Sequence, residues 1–232
     1  MQRAYEKHGF FSFSERGRNR ELYCLKHGES GINTVCRVLQ VSRRELRTSE
    51  GAKKLGLHGI IADDTAKLPF VSWEEERVEF VRDAVIQIEN AYVERWEGLP
   101  TLYTGKNTNV RVFEEIIGFP PYAALIKPRK RRIDDIVRCE GAFDVLVEGD
   151  IVSVSEDQNE RTLVLDDGTG AVSLVLREKE KEAHIQFGMP IKARGNVVVS
   201  EKGSVVLMAE EIKILGEAFI IHGMKDFLCR YT

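Results

Sequence analysis

The stretch Leu57 to Gly105 reads LHGIIADDTAKLPFVSWEEERVEFVRDAVIQIENAYVERWEGLPTLYTG, and its pattern recurs in Arg161 to Leu215, RTLVLDDGTGAVSLVLREKEKEAHIQFGMPIKARGNVVVSEKGSVVLMAEEIKIL. In both, an apolar strand runs into a tight Asp-rich turn containing Thr, and a second strand follows. A charged segment with helical character comes next, then two more strands joined by a Gly hairpin. Alternation along KLPFVSW puts Leu68 and Phe70 on one face and Lys67, Pro69, Val71 and Trp73 on the other. If Phe70 fills a barrel, Trp73 looks outward.

A run of short strands with one helix between the third and the fourth is the layout of the OB-fold. The expectation is a mainly β chain of two tandem OB-fold five-stranded Greek-key barrels, each with a helix between strands 3 and 4, followed by a C-terminal helix. The expected divisions are an N-terminal extension over 1–30, read either as a short helix and strand docked on the first barrel or as the remnant of a preceding domain, a first barrel over 31–115, a Pro-containing basic connector over 116–140, a second barrel over 141–215 and the helix over 216–232. The sequence INTVCRVLQVS from Ile32 reads as the first strand, and RRELRTSEGAKKLG after it as a long polar loop. Val78 and Val81 carry the helical spacing, AVIQIENAYVERW the fourth strand and TLYTGKNTNVRVF the fifth. In the tail, Phe219 and Phe227, and Ile220, Met224 and Leu228, recur at helical spacing.

Composition bounds the class. A chain of 232 residues with 43% hydrophobic and 31% charged content has room for two domains of roughly 100 residues each. No apolar run approaches the roughly 20 residues of a bilayer span, and the start of the chain lacks a signal-peptide core. Cys24, Cys36, Cys139 and Cys229 are scattered, which fits a reducing compartment without disulfides. These features point to an intracellular, cytoplasmic protein with no membrane partner. The net charge of −3 does not exclude a polyanionic partner, because binding depends on where the cations sit.

Sequence-tolerant binding of a single strand needs cations that track phosphates and flat rings on which unstacked bases lie. The first repeat has both. Arg43, Arg44, Arg47, Lys53 and Lys54 fall between strands one and two, Arg95 and Trp96 at the hairpin between strands four and five, and Tyr103 and Lys106 along strand five. Those two loops flank the binding groove of the OB-fold, and Trp73 would form its floor. Each assignment has a plainer alternative. Trp73 would otherwise cover a barrel edge, Trp96 staple its own turn, Tyr103 pack inward, and the Arg/Lys loop, which also holds Glu45 and Glu50, serve as solvated surface.

With the repeats aligned on Thr65 and Thr169, Arg177 takes the place of Trp73 and the basic loop becomes the acidic EDQNER. The second barrel is therefore expected to bind a strand weakly or to use its surface for something else, as an accessory or assembly domain, with Arg177, Lys192 and Arg194 more structural than phosphate-binding. The run Lys127 to Arg132 reads as a secondary phosphate contact, with a localisation-type patch and a solvated connector as the alternatives. Asp63-Asp64 and Asp166-Asp167 sit at the same turn, where Asp accepts local backbone bonds, so a turn is favoured over a metal or acid/base pair. Cys24, His27 and Cys36 lack a fourth ligand and the two close pairs of a zinc site. No phosphate loop, nucleophile elbow or paired-histidine motif occurs, so no enzyme, cofactor or metal is expected.

GIIADDTAKLPFVSWEEE, followed by VIQIENAYVERWEGLPTLYTGKNTNV, resembles the DNA-binding OB-folds of archaeal replication protein A over about Ile32 to Phe113. The resemblance implies non-sequence-specific binding of single-stranded DNA in replication, recombination and repair, with nucleoid association. It implies base stacking at Trp73 and assembly with other replication protein A subunits through C-terminal helices. A protein-interaction scaffold and a single-stranded RNA binder are the alternatives.

Overall fold

The computed structural model describes residues 19–47, 51–73, 78–113, 118–157, 160–176, 185–200 and 202–215. The helix expected over 216–232 lies outside them. The chain forms two compact units, residues 1–96 with 100–127 and residues 97–99 with 128–232. Strand takes up 61% of the chain and helix 7%, so the protein is mainly β, with a closed five-stranded barrel of the OB-fold. Among the described residues no helix is long and apolar enough to cross a membrane.

In the first unit the strands are β1 (Ser30–Arg47), β2 (Lys53–Ala62), β3 (Lys67–Ser72), β4 (Val85–Trp96), β5 (Leu99–Thr104) and β6 (Asn109–Phe113), followed by the single-turn helix α1 (Tyr122–Leu125). β1 pairs with β4 through its first half and with β2 through its second; β3 lies antiparallel to β2 and parallel to β5, and β5 neighbours β4, which closes the ring. A register shift between Val38 and Gln40 lets β1 serve both neighbours. Across this bend only glycine fits at position 59, where an added Cβ would lie 1.8 Å from the Gln40 carbonyl oxygen. Leu68 and Phe70 point into the core as alternation requires, and Phe70 stacks on Phe80 with ring centres 4.6 Å apart.

Three expectations change. No helix occurs between β3 and β4 among the described residues: Val78 and Val81 are 81% and 56% exposed in turns, while Phe80 between them is buried. One ring anchored on Phe70 holds this connection, and an apolar i, i+3 pair without a surface to cover does not make a helix. Residues 74–77, and 177–184 in the second repeat, lie outside the description. The expected fifth strand is two strands, because Gly105 and Thr108 bond each other across a turn and send β6 back along β4. The expected polar loop after Ser42 is an extended hairpin arm, its ladder running from Arg43 opposite Leu57 to Arg47 opposite Lys53.

The Asp-rich turns do more than turn. The Asp63 carboxylate accepts bonds from the Thr65 and Ala66 backbone N–H groups and the Thr65 hydroxyl, and from the backbone N–H of Leu22 at 2.8 Å. Tyr23 N–H donates to the Thr65 hydroxyl oxygen. This clasp holds the 3-10 turn Leu22–Cys24 against the barrel and buries Leu22 and Leu25 in its core. Of the two readings of the N-terminal extension, docking on the first barrel holds for its described part, which completes the first core.

The second unit repeats the scheme with β7 (Arg129–Lys130), α2 (Ile133–Arg138), β8 (Ala142–Asp157), β9 (Glu160–Asp166), β10 (Ala171–Leu176), β11 (Pro190–Val199) and β12 (Val205–Ile214). β8 pairs with β9 and β11, β10 with β9, and β12 with β11 and, in parallel, β10. Asp167 accepts from Ile133 N–H at 2.9 Å and from Thr169, whose hydroxyl oxygen accepts from Asp134 N–H. Ile133 and Ile136 enter the second core as Leu22 and Leu25 enter the first, so part of the expected connector is core.

Candidate nucleic-acid interface

The outward positions of the first barrel converge on one continuous face. Directly paired residues share a face of a sheet. Ser42 pairs with His58, Arg44 with Gly56, Leu46 with Lys54, His58 with Val71, and Val71 with Tyr103. Trp73 follows Val71 on the same side, its backbone N–H donating to the Thr104 carbonyl oxygen at 3.3 Å. Gly56 makes room for the indole: an added Cβ there would lie 2.9 Å from the Ser72 carbonyl oxygen and 3.5 Å from Trp73 Cε3.

Three rings form a row on this face. Trp73 and Tyr103 lie 6.3 Å apart at 28°, and Tyr103 and Tyr92 lie 5.4 Å apart at 18°. Trp96 joins the same cluster, which rests on Leu46 and Val71. Trp73, Tyr92 and Trp96 are partly buried, while Tyr103 is 7% exposed. Tyr103 therefore lies on the outer face but is covered there by Trp73 and Tyr92, so it supports the row and offers little surface of its own. The outer indoles retain open surface.

The electrostatics keep the row neutral and border it with charge. Burial pushes the Tyr103 phenol up to about 12, with Tyr92 and Glu94 adding to the shift. Burial likewise raises Tyr92, against the bond it accepts from the Trp73 indole N–H, and Glu94 raises it further. Both remain uncharged phenols near neutral pH. Lys54 Nζ stands 5.9 Å from the Trp73 ring centre. His58, bonded to Ser42, is lowered by burial and then by Arg44, which fits the shared face of those residues.

Strand alternation sorts the cations of the arm. Arg44 and Lys54 lie on the aromatic face; Arg43 and Lys53 occupy the opposite one, where Lys53 pairs with Glu45 at 3.3 Å. Arg47 stands opposite Lys53 in the ladder. Arg95 shares the side of the core residue Val93, opposite Trp96, and Lys106 is exposed in the turn between β5 and β6. The structure thus gathers Trp73, Trp96, Tyr103, Arg44 and Lys54, and does not bring Arg43, Lys53 or Arg95 onto their face. Sequence reasoning missed Tyr92, Glu94 and His58. The signal for the first two was present, since Val93 in the core forces Tyr92, Glu94 and Trp96 outward together.

In the second unit several cations are engaged by acids. Glu148 accepts from Lys130 and, at 2.7 Å, from Lys192, and these bonds pull its carboxyl down to about 2. Arg194 Nε lies 2.7 Å from Asp144 and its Nη1 3.1 Å from Glu211. Arg132 pairs with Asp134 at 3.2 Å. Lys130 and Arg132 of the basic run thus stand in local ion pairs, as do Lys192 and Arg194, while Arg177 lies outside the described residues. Cys36 is fully buried in the first core, where burial pushes its thiol up.

Residues 143–215 match the family described as OB-fold nucleic acid binding domain. No curated protein matches the chain. Among solved structures, fission yeast Pot1 with single-stranded DNA is 7% identical at a TM-score of 0.47, covering 90% of each chain. A murine DNA-binding protein bound with double-stranded DNA is 15% identical at 0.42, covering 78% of this chain and 97% of its own. A replication protein A heterotrimer bound to single-stranded DNA is 15% identical at 0.37, covering 91% of this chain and 55% of its own. The family match falls on the second barrel, whereas the aromatic row lies on the first. The chain is a mainly β protein with an OB-fold barrel, and its residues 143–215 are similar to the OB-fold nucleic acid binding domain family.

Proposed function

We propose that this chain binds single-stranded DNA without strong sequence preference, on the outer face of its first barrel, as a non-enzymatic protein of replication, recombination and repair related to archaeal replication protein A. The observation that carries the reading is the row Trp73, Tyr103 and Tyr92, with Trp96 beside it and Arg44 and Lys54 along one border. Bases stack on the open indole surface while phosphates follow the cations, a division of labour that needs no metal or cofactor. On this reading the protein works inside the cell, and the segment 216–232 joins it to further subunits.

Both tryptophans of the chain belong to this cluster, so tryptophan emission, excited selectively over tyrosine, reports the site. Quenching by oligo(dT), relieved by salt, is the expected result. A silent titration at low salt overturns the proposal and leaves a protein-interaction scaffold. Competition between matched DNA and RNA oligomers decides the sugar, since a bound RNA that resists DNA competitors places the protein in RNA metabolism.

A further inference from the structure

The aromatic row is bordered differently on its two sides. Arg44 and Lys54 line the side of the hairpin arm. On β4 the outward residues are Tyr92, Glu94 and Trp96, so a carboxylate stands between two of the rings. Glu94 is 50% exposed, and its Oε2 lies 3.3 Å from Nδ1 of the exposed His27. A carboxylate offers about four acceptor sites, so one contact with an imidazole leaves it free to accept more. Behind the larger effect of burial, its charge is felt by the phenols of Tyr92 and Tyr103, which places it beside the row.

This border orients a strand. Phosphates are drawn towards Arg44 and Lys54 and repelled from β4, so a base lying on Tyr92 or Trp96 turns its edge to Glu94. A carboxylate there accepts from an exocyclic amine and repels a carbonyl. Resting on the function proposed above, we infer that Glu94 is a specificity-determining contact that takes the N4 amine of a stacked cytosine and disfavours the O4 carbonyl of uracil or thymine. The site is then sequence-tolerant with a bias towards amine-bearing bases.

The test compares the full chain and Glu94→Gln by fluorescence anisotropy with labelled oligo(dC) and oligo(dU) of equal length, the deoxyuridine removing any effect of the thymine methyl. The native chain is expected to bind oligo(dC) about fivefold tighter, the scale of one partly exposed hydrogen bond to a charged group. In Glu94→Gln the ratio falls to about one, because an amide accepts from N4 and donates to O4 alike, and both affinities rise as the negative charge is removed. Equal affinities in the native chain, or a ratio unchanged in the variant, overturn this inference while leaving the binding site in place. Binding of neither oligomer removes the site itself and the inference with it.

Discussion

Trp73→Ala is the substitution that bears most directly on the aromatic face. The indole is partly buried, covers Tyr103 at 6.3 Å and rests on the Leu46 and Val71 cluster, so its loss affects both binding and stability. Full truncation of a buried aromatic costs about 3 to 5 kcal/mol; a ring already open to water on one side has less to lose, about 1 to 2 kcal/mol. The fold is expected to survive, since the barrel core of Phe70, Phe80 and their neighbours does not include Trp73. Stacking of one base contributes about 1 to 3 kcal/mol, so Kd for oligo(dT) is expected to rise roughly 5- to 150-fold. Anisotropy with a labelled oligomer measures this, circular dichroism melting confirms the fold, and Trp73→Phe recovers most of the affinity. An unchanged Kd in a folded Trp73→Ala protein would refute the assignment of this face.

The other expectations concern charge, acid and packing. Replacing Arg44 and Lys54 by Ala flattens the slope of log K against log salt by about 1.4, at about 0.7 per phosphate contact, whereas Arg43→Ala with Lys53→Ala leaves it nearly unchanged; equal effects would contradict the sorting by alternation. Burial raises the Asp167 carboxyl, and bonds from Thr169, Ile133 and Gly170 outweigh it to hold the group below its ordinary value. Its stabilisation is present above the ordinary Asp range and lost as pH falls towards the lowered value, so Asp167→Asn weakens the second unit near neutral pH and blunts its acid sensitivity in melts. Gly59→Ala forces a Cβ onto the Gln40 carbonyl and is expected to lower the melting temperature sharply, a change far beyond that of an ordinary exposed Gly→Ala.

Much of the fold was legible because a barrel strand writes its two faces in alternate residues. Leu68 and Phe70 inside with Val71 and Trp73 outside followed from KLPFVSW alone, and the β11 alternation of Ile191 and Ala193 with Lys192 and Arg194 is equally plain. What alternation does not give is register. Whether Arg43 or Arg44 shares the face of the indole depends on one step in the ladder, and a polar hairpin arm looks like a loop until its partner strand is known. Local spacing also misled at Val78 and Val81, where tertiary stacking of Phe80 on Phe70 decided the conformation. Leu22 and Leu25 were unreadable for another reason: their anchor, Asp63, lies far along the chain.

That paired Asp-Thr clasp sets where the chain can be cut. The natural module is stopper plus barrel, with Leu22 and Leu25 plugging one ring and Ile133 and Ile136 the other. A fragment that starts at the first residue of β1 or β8 would leave an open-ended cavity and an acidic turn with nothing to grip. Fragments meant to fold on their own must begin upstream of Asn19 and Arg129, and swaps between the halves should carry each stopper with its own carboxylate.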